Sequence, residues 1–268
     1  MKNGKKLSLE ARARLTAMPC MAGFALFFVL PFLSAIRYSF LENTYTLRFV
    51  GLDNYVKVFN NRYFRLALKN TALFILSQTP LLMLLSLMLA LFSQRINRLW
   101  LRSALVLPVL LPSVAVVPIL RTLLGASLIK NAPLLPIHLL FQWKNIGFHL
   151  IILLSGLRMI PEEVYEAASL DGASMLRKLL SITLPLLKPT LFFSLVLALM
   201  QALKIFKEAY LLYGAYPANV VYMVQHYMNN HFYKLNYQTL TTAACLFAVA
   251  LYAVVALLWR YESRENAL

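Results

Sequence analysis

The feature that most constrains this chain is a set of long runs holding no Asp, Glu, Lys or Arg. They are Leu15 to Ile36, Asn70 to Gln94, Ser103 to Leu120 and Thr239 to Trp259. An α-helix rises about 1.5 Å per residue, so crossing roughly 30 Å of hydrocarbon takes about 20 residues. Runs of that length fit membrane-spanning helices. Two weaker stretches extend the set: Leu134 to Leu157, which carries Lys144, and Leu184 to Phe206, with Lys188 and Lys204 near its ends. Lysines near helix ends can snorkel to the interface and do not disqualify a span. The reading is an all-α polytopic membrane protein with six transmembrane helices, in keeping with 60% hydrophobic and 13% charged residues.

The segments follow from the spans. Residues 1–14 form an N-terminal tail, 15–37 the first helix, 38–69 an outer loop and 70–259 a five-helix core that includes a cytoplasmic loop at 158–188. Residues 260–268 form a second tail. The net charge of +16 raises the possibility of nucleic-acid binding, but the basic residues mostly flank apolar runs, where anionic lipid headgroups meet them. No nucleic-acid partner is expected. Cys20 and Cys245 sit inside apolar runs and imply no disulfide framework. The first run follows a basic stretch, as a signal peptide would. It is too long and lacks a small-x-small cleavage site, so it reads as a retained helix.

Orientation is weakly marked. With both termini in the cytoplasm, 14 Lys and Arg fall inside and 12 outside, a small margin for the positive-inside rule. Part of the outer excess lies in 53–69, DNYVKVFNNRYFRLALK, where Tyr55, Val58, Phe59, Tyr63, Leu66 and Ala67 share a helical face. That pattern predicts an amphipathic interfacial helix, with a solvated loop as the alternative.

Of ten acidic residues, four fall within ten positions: Glu162, Glu163, Glu166 and Asp171. The stretch from Ile160, IPEEVYEAASLDGASMLRKLLSITLPLLKP, predicts a short helix, a break at Asp171-Gly172 and a second short helix ending before Pro185. Pro161 and the two glutamates suit the first turn, and Ser174 suits the cap of the second helix. Val164, Ala167, Ala168 and Leu170 give the first helix a small apolar side suited to a groove on a partner.

This stretch resembles the EAA loop of binding-protein-dependent ABC importer permeases. Glu166-Ala167-Ala168, Gly172, Ile182 and Leu184-Pro185 match its spacing, before the penultimate span. The likeness covers roughly residues 17 to 262. Phe49-Val50-Gly51-Leu52-Asp53-Asn54-Tyr55, Ala67-Leu68-Lys69-Asn70-Thr71, Ile160 to Tyr165 and Phe206 to Leu212 resemble its maltose-type carbohydrate branch. The resemblance implies a type I importer permease fold in a bacterial inner membrane, with both termini and the loop cytoplasmic. It also implies a second related permease, two cytoplasmic ATPase subunits that bind ATP and Mg, and an extracytoplasmic solute-binding protein. Glu166, Ala167, Ala168, Asp171, Gly172 and Ala173 would couple to the ATPase. Two outer features depart from the pattern: a short connection from Gly125 to Leu135, and Gly214-Ala215-Tyr216-Pro217 in place of Gly-Gly-Pro.

The eight glycines never make P-loop spacing, so the chain reads as a transporter subunit without its own ATPase site, not an enzyme, and with no cofactor of its own. No carboxylate is expected in the spans, which argues against proton coupling. His226 and His231 lack a third ligand and give no metal site. Asn145, Phe148, His149, Gln201 and Phe206 are the candidates for a solute pathway, since amides bond hydroxyls and aromatic faces pack on sugar rings. Helix packing is their alternative. Tyr210, Tyr213, Tyr216, Tyr222 and Tyr227 read as an interfacial belt or a guide for sugar. A phosphorylated solute such as glycerol phosphate could use Lys204 or Lys207, whereas a polyamine would want acidic lining. A non-transporting scaffold is the rival from another class.

Overall fold

A computed structural model describes residues 9–95 and 99–265. Lys2, Lys5, Lys6 and Arg98, which enter the orientation count, lie outside them. In chain order the helices are α1 (Leu9–Phe24), α2 (Leu30–Ser39), α3 (Asp53–Asn60), α4 (Arg62–Arg95), α5 (Leu99–Leu110), α6 (Ser113–Asn131) and α7 (Leu134–Arg158). There follow α8 (Glu162–Leu170), α9 (Met175–Lys178), α10 (Leu184–Lys204), α11 (Phe206–Tyr213), α12 (Val224–Tyr233) and α13 (Tyr237–Glu265). A π turn, Ala25–Val29, joins α1 to α2, and another, Leu179–Thr183, joins α9 to α10. Among the described residues the only β pairing is an isolated bridge, Leu41 to Phe49.

Among the described residues six helical stretches are long and apolar enough to cross a bilayer: Thr16–Ser39, Arg62–Gln94, Ser113–Asn131, Leu134–Arg158, Met175–Tyr213 and Tyr237–Arg260. The all-α six-span architecture is borne out, with three local differences. Helix α4 begins at Arg62 and absorbs the second half of the expected interfacial helix, because only Asn61 breaks the chain there. Its 34 residues span roughly 50 Å, more than the hydrocarbon requires. The expected third span, 103–120, is split at Leu111–Pro112, since proline lacks the donor that would continue the helix. The stretch from Gly125, expected as an outer connection, is helical through Asn131, with a kink at Gly125 (φ 72°).

The chain divides into two compact units. Residues 1–61 and 228–252 form one. In it, Asn54 Nδ2 donates to the carbonyls of Ser39 (3.0 Å) and Leu41 (2.8 Å) at the end of α2. Thr242 Oγ1 donates to the same Ser39 carbonyl at 3.3 Å. Terminal helix carbonyls have no partner within their own helix, so these side chains close that end.

Residues 62–227 and 253–268 form the second unit, whose centre is α4, α7 and α10. Polar side chains tie these helices together where no water competes. Gln142 Nε2 donates to the Gln78 carbonyl at 3.0 Å, and Ser86 Oγ to the Ile146 carbonyl at 3.2 Å. Helix α5 lies so close to α7 that a Cβ at Gly147 would come within 1.8 Å of the Leu105 carbonyl oxygen. Only glycine permits that approach.

Candidate functional site

Two places in the second unit hold the chemistry, and they lie at different positions along α7 and α10. The first is the hairpin of α8 and α9. Glu162 and Glu163 occupy the first turn of α8, where they complement the positive end of the dipole. The helix stops in a Schellman cap: Ala173 N–H donates to the Ala168 carbonyl (2.9 Å) and Gly172 N–H to the Ser169 carbonyl (3.0 Å). Gly172 sits at φ +73°, a left-handed conformation that side chains disfavour. The paired cap positions carry Ala168 and Ala173, both half-buried, so small residues there have a structural reason. Ser174 Oγ then accepts from Arg177 N–H at 3.3 Å and caps α9.

The hairpin is held shut by side chains. Lys178 Nζ donates to Ser169 Oγ at 2.5 Å, and the Tyr165 hydroxyl pairs with Thr183 Oγ1 at 3.0 Å. Tyr165 also packs against a core of Leu153, Leu157 and Leu187, which seats α8 on the ends of α7 and α10. The outer side remains open. Glu166, Ala167, Asp171 and Gly172 are exposed. So are Leu170 (90%), Met175 and Leu176. The second helix does not end before Pro185, as its sequence predicts; it runs through the π turn into α10.

The second place is a cavity of about 290 Å³ lined by residues of α7, α10 and α11 together with Val109 and Ser113. Glu208 Oε1 accepts from Ser113 Oγ (2.5 Å) and from Lys144 Nζ (3.1 Å), and Lys144 Nζ also donates to Ser113 Oγ at 2.7 Å. The side chains of Lys144 and Glu208 are 14% and 11% exposed. Such a pair is stable only when both charges and their hydrogen bonds are present. Glu208 lies just beyond the fifth span as read from the sequence, Leu184 to Phe206, though within the longer helical stretch Met175–Tyr213. The chain breaks its helix at Ile205 and resumes it in α11, carrying Glu208 past the end of the apolar run. A Lys and a Glu 64 positions apart leave no local signal of their pairing.

The pathway candidates separate. Asn145 and Gln201 line the cavity. His149 is fully buried, its Nδ1 paired with Ser194 Oγ and its Nε2 with Gln201 Oε1, each at 2.7 Å. Both ring nitrogens are thus used in joining α7 to α10. Phe148 packs edge-on against His149. Phe206 packs against Tyr210 and, at 4.8 Å between centroids, against His226. The tyrosines divide in the same way: the Tyr213 hydroxyl donates to the Pro133 carbonyl and Tyr227 is buried against Phe64, whereas Tyr216 is exposed. His226 accepts from Met223 N–H through Nδ1, and burial pushes its pKa down to about 4. Among the described residues no group of three or more His, Cys, Asp or Glu could hold a metal ion.

Residues 82–263 match the family described as binding-protein-dependent transport system inner membrane component. The chain is 31% identical to the arabinooligosaccharides transport system permease protein AraP of Bacillus subtilis, over 80% of this chain and 76% of the relative. It is 32% identical to the trehalose/maltose transport system permease protein MalF of Thermococcus litoralis, over 76% and 77%. It is also similar in structure, at a TM-score of 0.76 and 22% identity, to a bacterial ABC transporter involved in the import of the acidic polysaccharide alginate, covering 96% of this chain and 97% of that one. With six apolar helices and a family match over most of its length, this chain belongs to the binding-protein-dependent transport system inner membrane components.

Proposed function

We propose that the chain is one permease subunit of an ATP-driven importer for a sugar or oligosaccharide, and that the α8–α9 hairpin receives the push of the ATPase. The observation that carries this reading is the hairpin itself: a rigidly capped element, exposed on its outer side, that continues without a break into α10. Exposed Leu170 and Met175 beside Glu166 and Asp171 offer a cytoplasmic partner both apolar area and charge. Closure of that partner would move α10 against α7 and open the pathway alternately to each side. The names of the relatives, which concern arabinooligosaccharides and trehalose or maltose, support a saccharide as the solute.

In this reading a second related permease completes the pathway and two cytoplasmic ATPase subunits bind ATP and Mg. An extracytoplasmic binding protein delivers the solute. The hairpin faces the cytoplasm, and with six spans both termini lie on the same side. Glu166 and Asp171 make the coupling contact, Ala167 adds apolar surface, and Ala168, Gly172 and Ala173 hold the cap.

Gly172→Val tests the assignment. A Cβ there meets nothing within 4 Å, but a β-branched residue at positive φ costs on the order of 1–2 kcal/mol and opens the cap. ATP-driven uptake should fall to background while membrane insertion is unchanged, and Gly172→Asn, which tolerates this backbone, should keep most uptake. Normal uptake by the valine variant would count against the hairpin as the coupling element.

A further inference from the structure

The lining of the polar cavity has an unbalanced charge. Lys144, Lys204, Lys207 and Glu208 all contribute to it. Glu208 Oε1 accepts from both Lys144 and Ser113, so one positive charge is matched. Lys204 and Lys207 face no carboxylate in that lining, which leaves two positive charges. The break at Ile205 explains their convergence: Lys204 ends α10 and Lys207 lies in the first turn of α11. Beside them, Asn145 donates its amide to the Phe141 carbonyl, which keeps its own oxygen as an acceptor for a hydroxyl. Gln201 is oriented by His149, which is fixed in turn by Ser194. Two unmatched ammonium groups next to hydroxyl-binding amides, on a scaffold set by buried hydrogen bonds, have the complement of a saccharide that carries a negative charge.

We infer that this cavity binds an anionic saccharide, with the carboxylate, sulfonate or phosphate of the sugar held by Lys204 and Lys207 and a ring hydroxyl held by Asn145. This rests on the importer reading and narrows it to one class of solute. Glu208 has a positioning part. By neutralising Lys144 it keeps the inner wall uncharged, so the anion is drawn to the two outer lysines. Lys204 and Lys207 are exposed at the cavity's rim, so a neutral sugar would gain the amide contacts alone, whereas an anionic one adds charge-assisted hydrogen bonds to two ammonium groups.

The test uses the importer assembled with its second permease and ATPases in nanodiscs of zwitterionic lipid, so that no anionic headgroup competes. Acetylation of Lys204 and Lys207 is followed by mass spectrometry, with nucleotide absent and with nucleotide trapped. The probes are a uronic-acid trisaccharide, its carboxyl-reduced neutral counterpart and inorganic phosphate. The expected result is that the uronide slows acetylation of both lysines severalfold in at least one state, that raised salt weakens this, and that the neutral trisaccharide leaves the rates unchanged. In the same assembly, Lys204→Gln with Lys207→Gln should reduce uronide binding at least tenfold while neutral-sugar binding stays as in the wild type. Equal shielding by both trisaccharides, or by neither, overturns the inference. So does shielding by phosphate as strong as by the uronide, which would make the pair a site for small anions. Failure to assemble with any ATPase would instead sink the importer reading, so the two failures are distinct.

Discussion

The α8–α9 hairpin and the polar cavity belong to the same unit, yet they are built in opposite ways. Much of the hairpin is held by bonds reaching three to nine residues, including its cap, and its outer side is open. The cavity is held by side chains 31, 64 and 95 positions apart, drawn from three helices and largely buried. A surface charge such as Glu166 can change with less than about 0.5 kcal/mol of stability at stake, so its importance has to be read in transport. A buried charge cannot change alone without loss of stability, because its partner is left unpaired. Function is therefore separable from folding at the hairpin and entangled with it at the cavity.

The sharpest way to break this contrast is to remove Lys144. Lys144→Met leaves Glu208 buried with only Ser113, and should destabilise the purified protein by about 3 kcal/mol, read as a lower thermal midpoint. Adding Glu208→Gln should restore at least half of that loss. If the single change costs no more than Glu166→Gln, the cavity is as loosely built as the hairpin and the contrast fails. A pair of glycines sharpens it next. Gly147→Ala forces α5 away from α7 and should cost about 2 kcal/mol, the range of overpacked cores. Gly172→Ala has open space and should lose less stability, with its effect seen in uptake.

The smallest effect concerns pH. His226, packed against Phe206 and Tyr222, has its pKa lowered by burial from 6.5 to about 4. The unfolded chain therefore binds a proton that the folded one refuses, so stability is complete above pH 6.5 and declines as pH falls toward 4. A loss of about 1 kcal/mol by about pH 5.5 is expected in denaturant titrations. His226→Gln should flatten that slope, and an unchanged slope would assign it to other groups.

How much of this could be read in the sequence follows from the same difference. The spans were legible because bilayer thickness demands an uninterrupted apolar run, and the hairpin because its cap, turn and second cap occupy consecutive positions. The split at Leu111–Pro112 was not, since an apolar composition conceals a break in the backbone. Nor was the ion pair, because Lys144 looks like a span-end lysine and Glu208 like the start of a loop until helix packing brings them together. His149 drew attention as a possible solute ligand because a histidine in an apolar run is conspicuous; its two helix-joining hydrogen bonds depend on residues 45 and 52 positions away.

The π turn at Leu179–Thr183 has a consequence for engineering. Its hydrogen bond runs from Leu184 N–H to the Leu179 carbonyl, one residue wider than an α-helical turn. The wide turn takes in one extra residue, so removing one residue there would restore the regular winding and leave the hairpin at nearly the same azimuth, whereas removing one from the regular part of α10 would turn everything before it by about 100° around the helix axis. The azimuth at which Glu166 and Leu170 face outward is thus buffered against a one-residue change of length at this turn, and is held by the Tyr165 and Lys178 contacts. A one-residue deletion in α10 beyond the turn would re-aim that surface with its chemistry untouched.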